Sequence, residues 1–206
     1  DEMLDMATHG AQVLHNRAVG LAKKYNVPII VRSSFSYEEG TIVKEVLSVE
    51  KRMVSGIAVD KSPARISLIG LSDTPGTAFR VFNELGRNGI VVDIILQSVG
   101  REGTKDISFT VASRDLEETL EILKNAREKL GYQDINYEDH IAKVSVVGEG
   151  MITDPAVAST MFEALFNAGI NIKMISTSEI RITVIVDEED SDRAARAVHD
   201  AFIPSE

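Results

Sequence analysis

A short polar loop followed by a helix signal is the most chemically suggestive feature of this chain. Asp73 precedes Thr74 and Pro75, which predict a helix N-cap and first helical residue, and Gly76 would let a ligand approach the backbone. A helix beginning at Pro75 would point its first N–H groups toward the loop, where a carboxylate binds well. Asp73 and the Gln97 amide supply oxygens that accept hydrogen bonds from an ammonium. These groups are suited to a small zwitterionic ligand.

The elements that must position these residues occur twice in the chain. Residues 64–70 read Ala-Arg-Ile-Ser-Leu-Ile-Gly, and residues 142–148 read Ala-Lys-Val-Ser-Val-Val-Gly. A helical pattern follows each copy, with Pro75 matching Pro155 and Gly89 matching Gly169. The first copy continues as two strands around a turn at 100–103, a second helix and a short closing strand. The duplication predicts two βαββαβ units of an α+β, ferredoxin-like fold.

The second copy ends before it could supply a fourth strand. A strand-like segment, 53–59, stands unassigned ahead of the first copy. We therefore expect this early strand to complete the second unit, so that the first unit is inserted within the second.

The strand that carries Gln97 is predicted over residues 90–99. The first and second strands of this fold run in the same direction. The end of the second strand, which carries Gln97, therefore lies at the same sheet edge as Asp73. Period-two alternation puts Val92, Ile94 and Leu96 toward the helices. The opposite face would then hold Val91, Asp93, Ile95 and Gln97, and we expect it to meet another unit of the same kind.

The first 45 residues follow a different pattern. Apolar residues recur at helical spacing from Met3 to Ala22, with a break or cap expected near Gly10 or Asn16. A short apolar strand is predicted at 27–31 and has no evident parallel partner. Because the chain also opens at Asp1 within a helical pattern, we expect a fragment of a larger α/β domain, with a boundary between Val43 and Arg52.

Composition narrows the classes of function. The net charge of −10 argues against nucleic acid, which is bound by clustered Lys and Arg. The chain has no cysteine, which excludes disulfides and thiolate chemistry, and the four histidines are scattered without metal-ligand spacing. No apolar run is long enough to cross a bilayer, so a membrane partner is not expected. A cytoplasmic protein is the default expectation.

Several short sequence segments resemble those of a known family. The loop Leu71–Gly76 reads Leu-Ser-Asp-Thr-Pro-Gly, the segment Asp93–Gln97 reads Asp-Ile-Ile-Leu-Gln, and Ile175–Ile182 reads Ile-Ser-Thr-Ser-Glu-Ile-Arg-Ile. These resemble the paired ACT domains, small amino-acid-binding modules, of bacterial aspartate kinase. Independently, Gly10–Arg17 and Arg32–Ser34 resemble the end of that enzyme's kinase domain, although Asn16 stands where the family more often has proline.

The resemblance implies three regions and a regulatory role. Residues 1–45 would be a remnant of the amino-acid-kinase domain, 64–139 the first ACT domain, and 53–60 plus 140–206 the second. The family's Lys-Phe-Gly-Gly opening is absent, so no catalytic residue, metal or cofactor is expected here; ATP and magnesium would belong to the parent kinase domain. The implied partners are that catalytic domain, a second copy of the chain, and threonine or lysine acting in feedback inhibition of lysine, threonine and methionine synthesis.

The resemblance also implies two kinds of effector site between two chains. A threonine-type site would combine residues of the first ACT unit with two residues of the facing second unit, namely Asp73, Gly76, Ala78 and Gln97 with Asn171 and Ile172. A lysine-type site would combine Asp93 with Ser178 and Glu179, because paired carboxylates suit a second ammonium.

Other interpretations stay open at this point. Lys173 and Thr177 replace Asp93 and Gln97 in the second copy, so the two units are chemically unequal. Asp73 could simply precede a helix N-cap, and Asp93 could be a solvated edge charge. The chain could also supply a separate regulatory subunit, with a start near Met53, or act as a free-standing double-ACT sensor.

Overall fold

The computed structural model describes residues 1–11, 13–45, 54–99, 103–148, 151 and 154–203. They form two compact units: a continuous unit, Lys61–Ala142, and a discontinuous unit, Asp1–Asp60 with Lys143–Glu206. No described helix combines the length and hydrophobicity needed to cross a lipid bilayer.

The continuous unit contains one four-stranded sheet with helices on one face. Its strands lie in the order β5 (Ile95–Val99), β6 (Thr104–Ala112), β4 (Pro63–Ser72) and β7 (Asp134–Glu138), and both β4 and β5 are antiparallel to β6. The first and second strands of the predicted unit therefore run in the same direction, as expected. Its α-helices are α3 (Thr77–Arg87), α4 (Leu116–Asn125) and α5 (Arg127–Leu130).

Cross-strand pairs place the core of this unit on the helix side of the sheet. Ile66 lies opposite Phe109 and Leu68 opposite Ile107, and all four are fully buried. The Phe82 ring of α3 meets the Phe109 ring edge-on, with the ring centroids 5.7 Å apart. The helix predicted after the first strand thus packs its apolar side chains on the sheet.

The discontinuous unit holds a second sheet, in the order β3 (Gly56–Asp60), β8 (Ile141–Val147), β10 (Arg181–Asp187) and β9 (Met174–Thr177). Its strand β3 pairs with β8 in antiparallel register from Gly56↔Val147 to Asp60↔Lys143. The strand ahead of the first repeat thus lies in the sheet of the second repeat, as the insertion hypothesis requires. The described strand begins at Gly56, and Met53 lies outside the described residues. The second repeat also contains α6 (Ala156–Asn167) and α7 (Ser191–Phe202).

The two repeats share a detail that supports their equivalence. In the continuous unit the Ser67 and Ser108 hydroxyls lie 2.8 Å apart, and at the matching positions Ser145 and Thr183 are also 2.8 Å apart. Each pair joins the first strand of its repeat to the third. The duplication in sequence is therefore a duplication of cross-strand contacts as well.

The first 45 residues form two helices and a small hairpin-like sheet. The helices are α1 (Glu2–Thr8) and α2 (Asn16–Tyr25), so the predicted break near Gly10 or Asn16 is confirmed. Strand β1 (Ile29–Val31) pairs antiparallel with β2 (Thr41–Val43). The sequence offered no parallel partner for the first strand; its antiparallel partner was missed because the segment after Ser33 reads as a polar loop.

Helix α1 and the turn after it lie tightly against β3. A Cβ on Gly10, whose φ is +118°, would fall 2.1 Å from the Val59 carbonyl oxygen. A Cβ on Gly56 would fall 2.8 Å from the Met6 sulfur. Two glycines thus let α1 and its following turn approach the edge of the sheet more closely than larger residues would permit.

Candidate ligand-binding site

A cleft of about 430 Å³ lies at the start of α3 in the continuous unit. It brings together four of the residues predicted for the threonine-type site: Asp73, Gly76, Ala78 and Gln97. The remaining residues that line it are Thr74, Pro75, Thr77, Phe79 and Lys105. All come from the loop before α3, from its first turn, or from β5 and β6.

The helix at this cleft begins two residues later than the sequence indicated. Thr77 is the first residue of α3 and Gly76 is the N-cap, with φ 90° and ψ −4°. Thr74 and Pro75, predicted as N-cap and first helical residue, instead form the turn that leads into the helix. The first N–H groups of a helix have no partner within it, so the α3 terminus still offers donors to the cleft.

Buried Thr77 fixes the conformation of this loop. Its side-chain oxygen lies 2.9 Å from the Ser72 carbonyl oxygen and 3.0 Å from that of Thr74. The Arg80 guanidinium donates to the same oxygen at 3.0 Å. Residue 77 is 2% exposed, so these contacts of its side chain are shielded from water. Sequence reasoning did not single it out.

Replacing Thr77 with valine is expected to destabilise the protein by about 1–2 kcal/mol, because the isosteric side chain lacks the proton donated to a loop carbonyl and the oxygen that accepts from the Arg80 guanidinium. Urea unfolding measures the change. Thr8→Val is the control, since the exposed Thr8 hydroxyl donates only to Leu4 within its own helix; we expect less than about 0.5 kcal/mol there. Equal losses in both variants would contradict the proposed role of Thr77.

Gln97 lies on the helix side of the edge strand β5. It sits opposite Ile107, and Ile95 sits opposite Phe109, both of which belong to the core beneath α3. Leu96, opposite Ser108, therefore faces away from the helices. The sequence-based assignment of faces was wrong for this half of the strand.

An irregularity before β5 causes this reversal. Thr110 accepts from the Asp93 N–H at 3.0 Å through its carbonyl, and its own N–H donates to the Ile94 carbonyl at 3.0 Å. Its hydroxyl also accepts from the Ile94 N–H at 3.1 Å. Two residues thus oppose one, and a single extra residue exchanges the faces of everything that follows. Asp93 and Gln97 do not share one alternation.

Lys105 is a cleft residue that the sequence analysis missed. Its Nζ lies 2.6 Å from Asp73 Oδ1, and the two side chains are 14% and 51% exposed. Lys105 ends a row on β6 whose alternate members, Ile107 and Phe109, are buried in the core. The sequence pattern that could have indicated Lys105 is this row. A lysine at the end of an otherwise apolar strand face lies beside the loop that the strand supports.

The other predicted site residues lie elsewhere in the chain. Asn171 and Ile172 precede β9, and Ser178 and Glu179 form the turn after it, so the two groups stand at opposite ends of that strand. The Ser178 N–H donates to the Arg181 carbonyl at 2.8 Å. These four residues belong to the discontinuous unit, whereas the cleft is built from residues of the continuous unit. Asp93 is exposed and is not part of the cleft lining.

Titratable groups give little further indication of chemistry. Burial raises the pKa of the Tyr132 phenol, against a smaller lowering by the nearby Arg127 guanidinium. The Tyr132 hydroxyl donates to the Leu123 carbonyl at 3.0 Å in the core, away from the cleft lining. Among the residues that the structure describes, no cluster of three or more His, Asp or Glu side chains could hold a metal ion.

Comparison with known families agrees with this architecture. ACT-domain profiles match residues 65–128 and 144–202, one in each repeat. The fold and the cleft at the first strand-to-helix loop thus define a protein with two ACT domains.

More specific relatives identify the family. The aspartokinase of Thermus thermophilus is 48% identical over 204 residues, which is 98% of this chain and 50% of that protein. The solved, ligand-free regulatory subunit of aspartate kinase from Thermus thermophilus is 43% identical, with a TM-score of 0.69 over 73% of this chain and 99% of that one. A solved structure of aspartokinase alpha and beta subunits is 44% identical, with a TM-score of 0.68 over 72% and 98%.

The chain belongs to the aspartokinase family, and the part it represents is the regulatory, ACT-domain region of that family. It spans about half the length of the curated relatives it matches.

Proposed function

We propose that this chain binds threonine, lysine or both and thereby regulates an aspartate kinase catalytic domain in feedback inhibition. The observation that carries the proposal is the cleft of the continuous unit. There the Asp73 carboxylate, the Gln97 amide and the amino-terminal end of α3 line one cleft, and the chain is the regulatory region of a family member. An effector's ammonium would bind Asp73 and Gln97, and its carboxylate would bind the N–H groups of α3.

The threonine-type site would need two copies of the chain. In this proposal Asp73, Gly76, Ala78 and Gln97 of one protomer meet Asn171 and Ile172 of its partner, in a homodimer formed through ACT domains. Support comes from the sequence resemblance and from the exposure of Asn171.

The lysine-type site would combine Asp93 with Ser178 and Glu179. All three are exposed to solvent, where a ligand with a second ammonium can reach them. This assignment also rests on the sequence resemblance.

In the whole protein, the attached kinase domain would transfer phosphate from ATP, with magnesium, to the side-chain carboxylate of aspartate. Effector binding lowers that activity only if the effector binds the inactive arrangement more tightly than the active one. A cytoplasmic location remains a prediction from the sequence.

A second candidate is a separate regulatory subunit that acts on a catalytic chain in trans. It is favoured by the solved regulatory subunit that this chain matches over 99% of its length. A start near Met53 would produce it, and co-purification with a kinase chain distinguishes it from a single-chain enzyme.

Calorimetric titration and thermal unfolding test the proposed function together. Threonine or lysine at about a hundred times its dissociation constant should stabilise the folded chain by about 2.7 kcal/mol. For a chain of this size, that corresponds to a rise in melting temperature of roughly 5–10 °C. Absence of binding heat, with an unchanged melting temperature in both amino acids, would contradict effector binding.

A further inference from the structure

The ion pair between Lys105 and Asp73 lies inside the candidate cleft. Lys105 Nζ is 2.6 Å from Asp73 Oδ1, and both side chains line the cleft together with Gln97. The lysine side chain is 14% exposed and the aspartate side chain 51%. The cation is thus set into the cleft wall, and its partner is the more accessible member of the pair.

Backbone pairing holds the two residues in place. Lys105 lies opposite Leu71 on β4, a fully buried core residue, so its side chain emerges on the helix side of the sheet. It stands diagonally across from Gln97, since Gln97 opposes Ile107 two residues further along β6. The Asp73 N–H donates to the Gly103 carbonyl at 3.0 Å and ties the loop to the start of β6.

The burial of this lysine distinguishes the pair from an ordinary surface contact. Lys129 and Glu84 form an ion pair of similar length, 2.5 Å, in the same unit, but that lysine side chain is 56% exposed. Holding a long cationic side chain out of water costs both hydration and rotamer entropy. The cleft thus places a positive charge beside a negative one. A zwitterion complements this pair when its carboxylate faces the cation and its ammonium faces the carboxylate.

We propose that Lys105 is a ligand-binding residue whose ammonium binds the α-carboxylate of the effector, together with the N–H groups at the start of α3, while Asp73 binds its α-ammonium. The inference deepens the proposed function and rests on it. Binding replaces the direct contact between Lys105 and Asp73 with two ion pairs to the ligand. The cleft then selects amino acids whose α-carboxylate is free and rejects the corresponding α-amides.

The test compares L-threonine with L-threoninamide, which keeps the ammonium and side chain but lacks the negative charge. Calorimetric titration of the full chain should show a preference for threonine of about ten- to a hundredfold. Lys105→Met should reduce that preference by about tenfold, mainly by weakening threonine binding. Lys105→Arg keeps the cation and should retain most of the preference.

Lys129→Met is the matched control, since it removes a paired lysine of the same unit outside the cleft lining and should leave the preference unchanged. Equal weakening of both ligands in Lys105→Met would overturn the assignment, because it would mean that Lys105 only positions Asp73. An unchanged preference would also overturn it while leaving the proposed function standing. Failure of threonine to bind the unaltered chain overturns the proposed function, and the assignment of Lys105 falls with it.

Discussion

Asp73→Asn is expected to lower the affinity for threonine by about ten- to a hundredfold and to remove about half or more of the threonine-dependent rise in melting temperature. The amide keeps the shape of the side chain but loses the negative charge that would pair with the ligand's ammonium. A charge-assisted hydrogen bond contributes about 1.5–3 kcal/mol, which corresponds to that loss of affinity. Calorimetric titration measures the affinity directly.

The substitution also affects the unliganded protein, because Lys105 loses its ionic partner at 2.6 Å. The decisive quantity is therefore the change in melting temperature on adding threonine, rather than the melting temperature itself. Urea unfolding of the ligand-free variant measures separately what the lost ion pair costs in stability.

Asp139→Asn is a suitable control for this experiment. Asp139 belongs to the same unit, its side chain is 49% exposed against 51% for Asp73, and it contacts His140 at 3.8 Å rather than the cleft. The control should keep the full threonine response. If Asp73→Asn responds to threonine as strongly as the unaltered chain does, Asp73 is not a ligand-binding residue.

Gly10→Ala, which adds a single methyl group, is expected to lower the free energy of unfolding by about 2–6 kcal/mol. Two costs add. The backbone at Gly10 has φ +118°, where a side chain brings about 1–3 kcal/mol of strain. The new Cβ would also lie 2.1 Å from the Val59 carbonyl oxygen, and overpacking typically costs a further 1–3 kcal/mol.

Val59 cannot easily yield to the new methyl group. It is paired with Val144 in the β3–β8 ladder, so a shift of its backbone disturbs the sheet of the second repeat. We therefore expect the turn after α1 to move instead, which would separate the amino-terminal segment from β3. Chemical denaturation measures the stability, and limited proteolysis within residues 1–45 reports the separation.

Gly20→Ala supplies the matched control for Gly10→Ala. Gly20 lies within α2, where a Cβ would meet only the Leu4 Cδ1 atom at an ordinary 3.8 Å. Alanine is the better helix former, so the free energy of unfolding of this variant should rise by about 0.5–1 kcal/mol. If the two variants had equal stability, the close approach of Gly10 to β3 would not describe the protein in solution.

Much of the architecture was predictable because it follows from local sequence patterns that occur twice in the chain. The duplicated strand and the helical stripe after it led to two βαββαβ units, and the missing last strand pointed to the segment that became β3. Pairing of β3 with β8 gives the second sheet the fourth strand that the first sheet already has. Strand direction predicted that Asp73 and Gln97 lie at the same edge of the sheet, although it did not predict the face on which Gln97 lies.

The tertiary structure decided what depends on contacts between residues distant in sequence. Thr110 pairs with both Asp93 and Ile94, and this one irregularity moves Gln97 to the helix side, because side chains alternate with a period of two.

By itself, then, the sequence determined the repeated fold, the family resemblance and the polar loop at the start of α3. The register between β4 and β6 places Lys105 against Asp73, a relation that no local pattern records. The charges that face a ligand were set by strand pairing, because register is a property of two strands and cannot be read from either one alone.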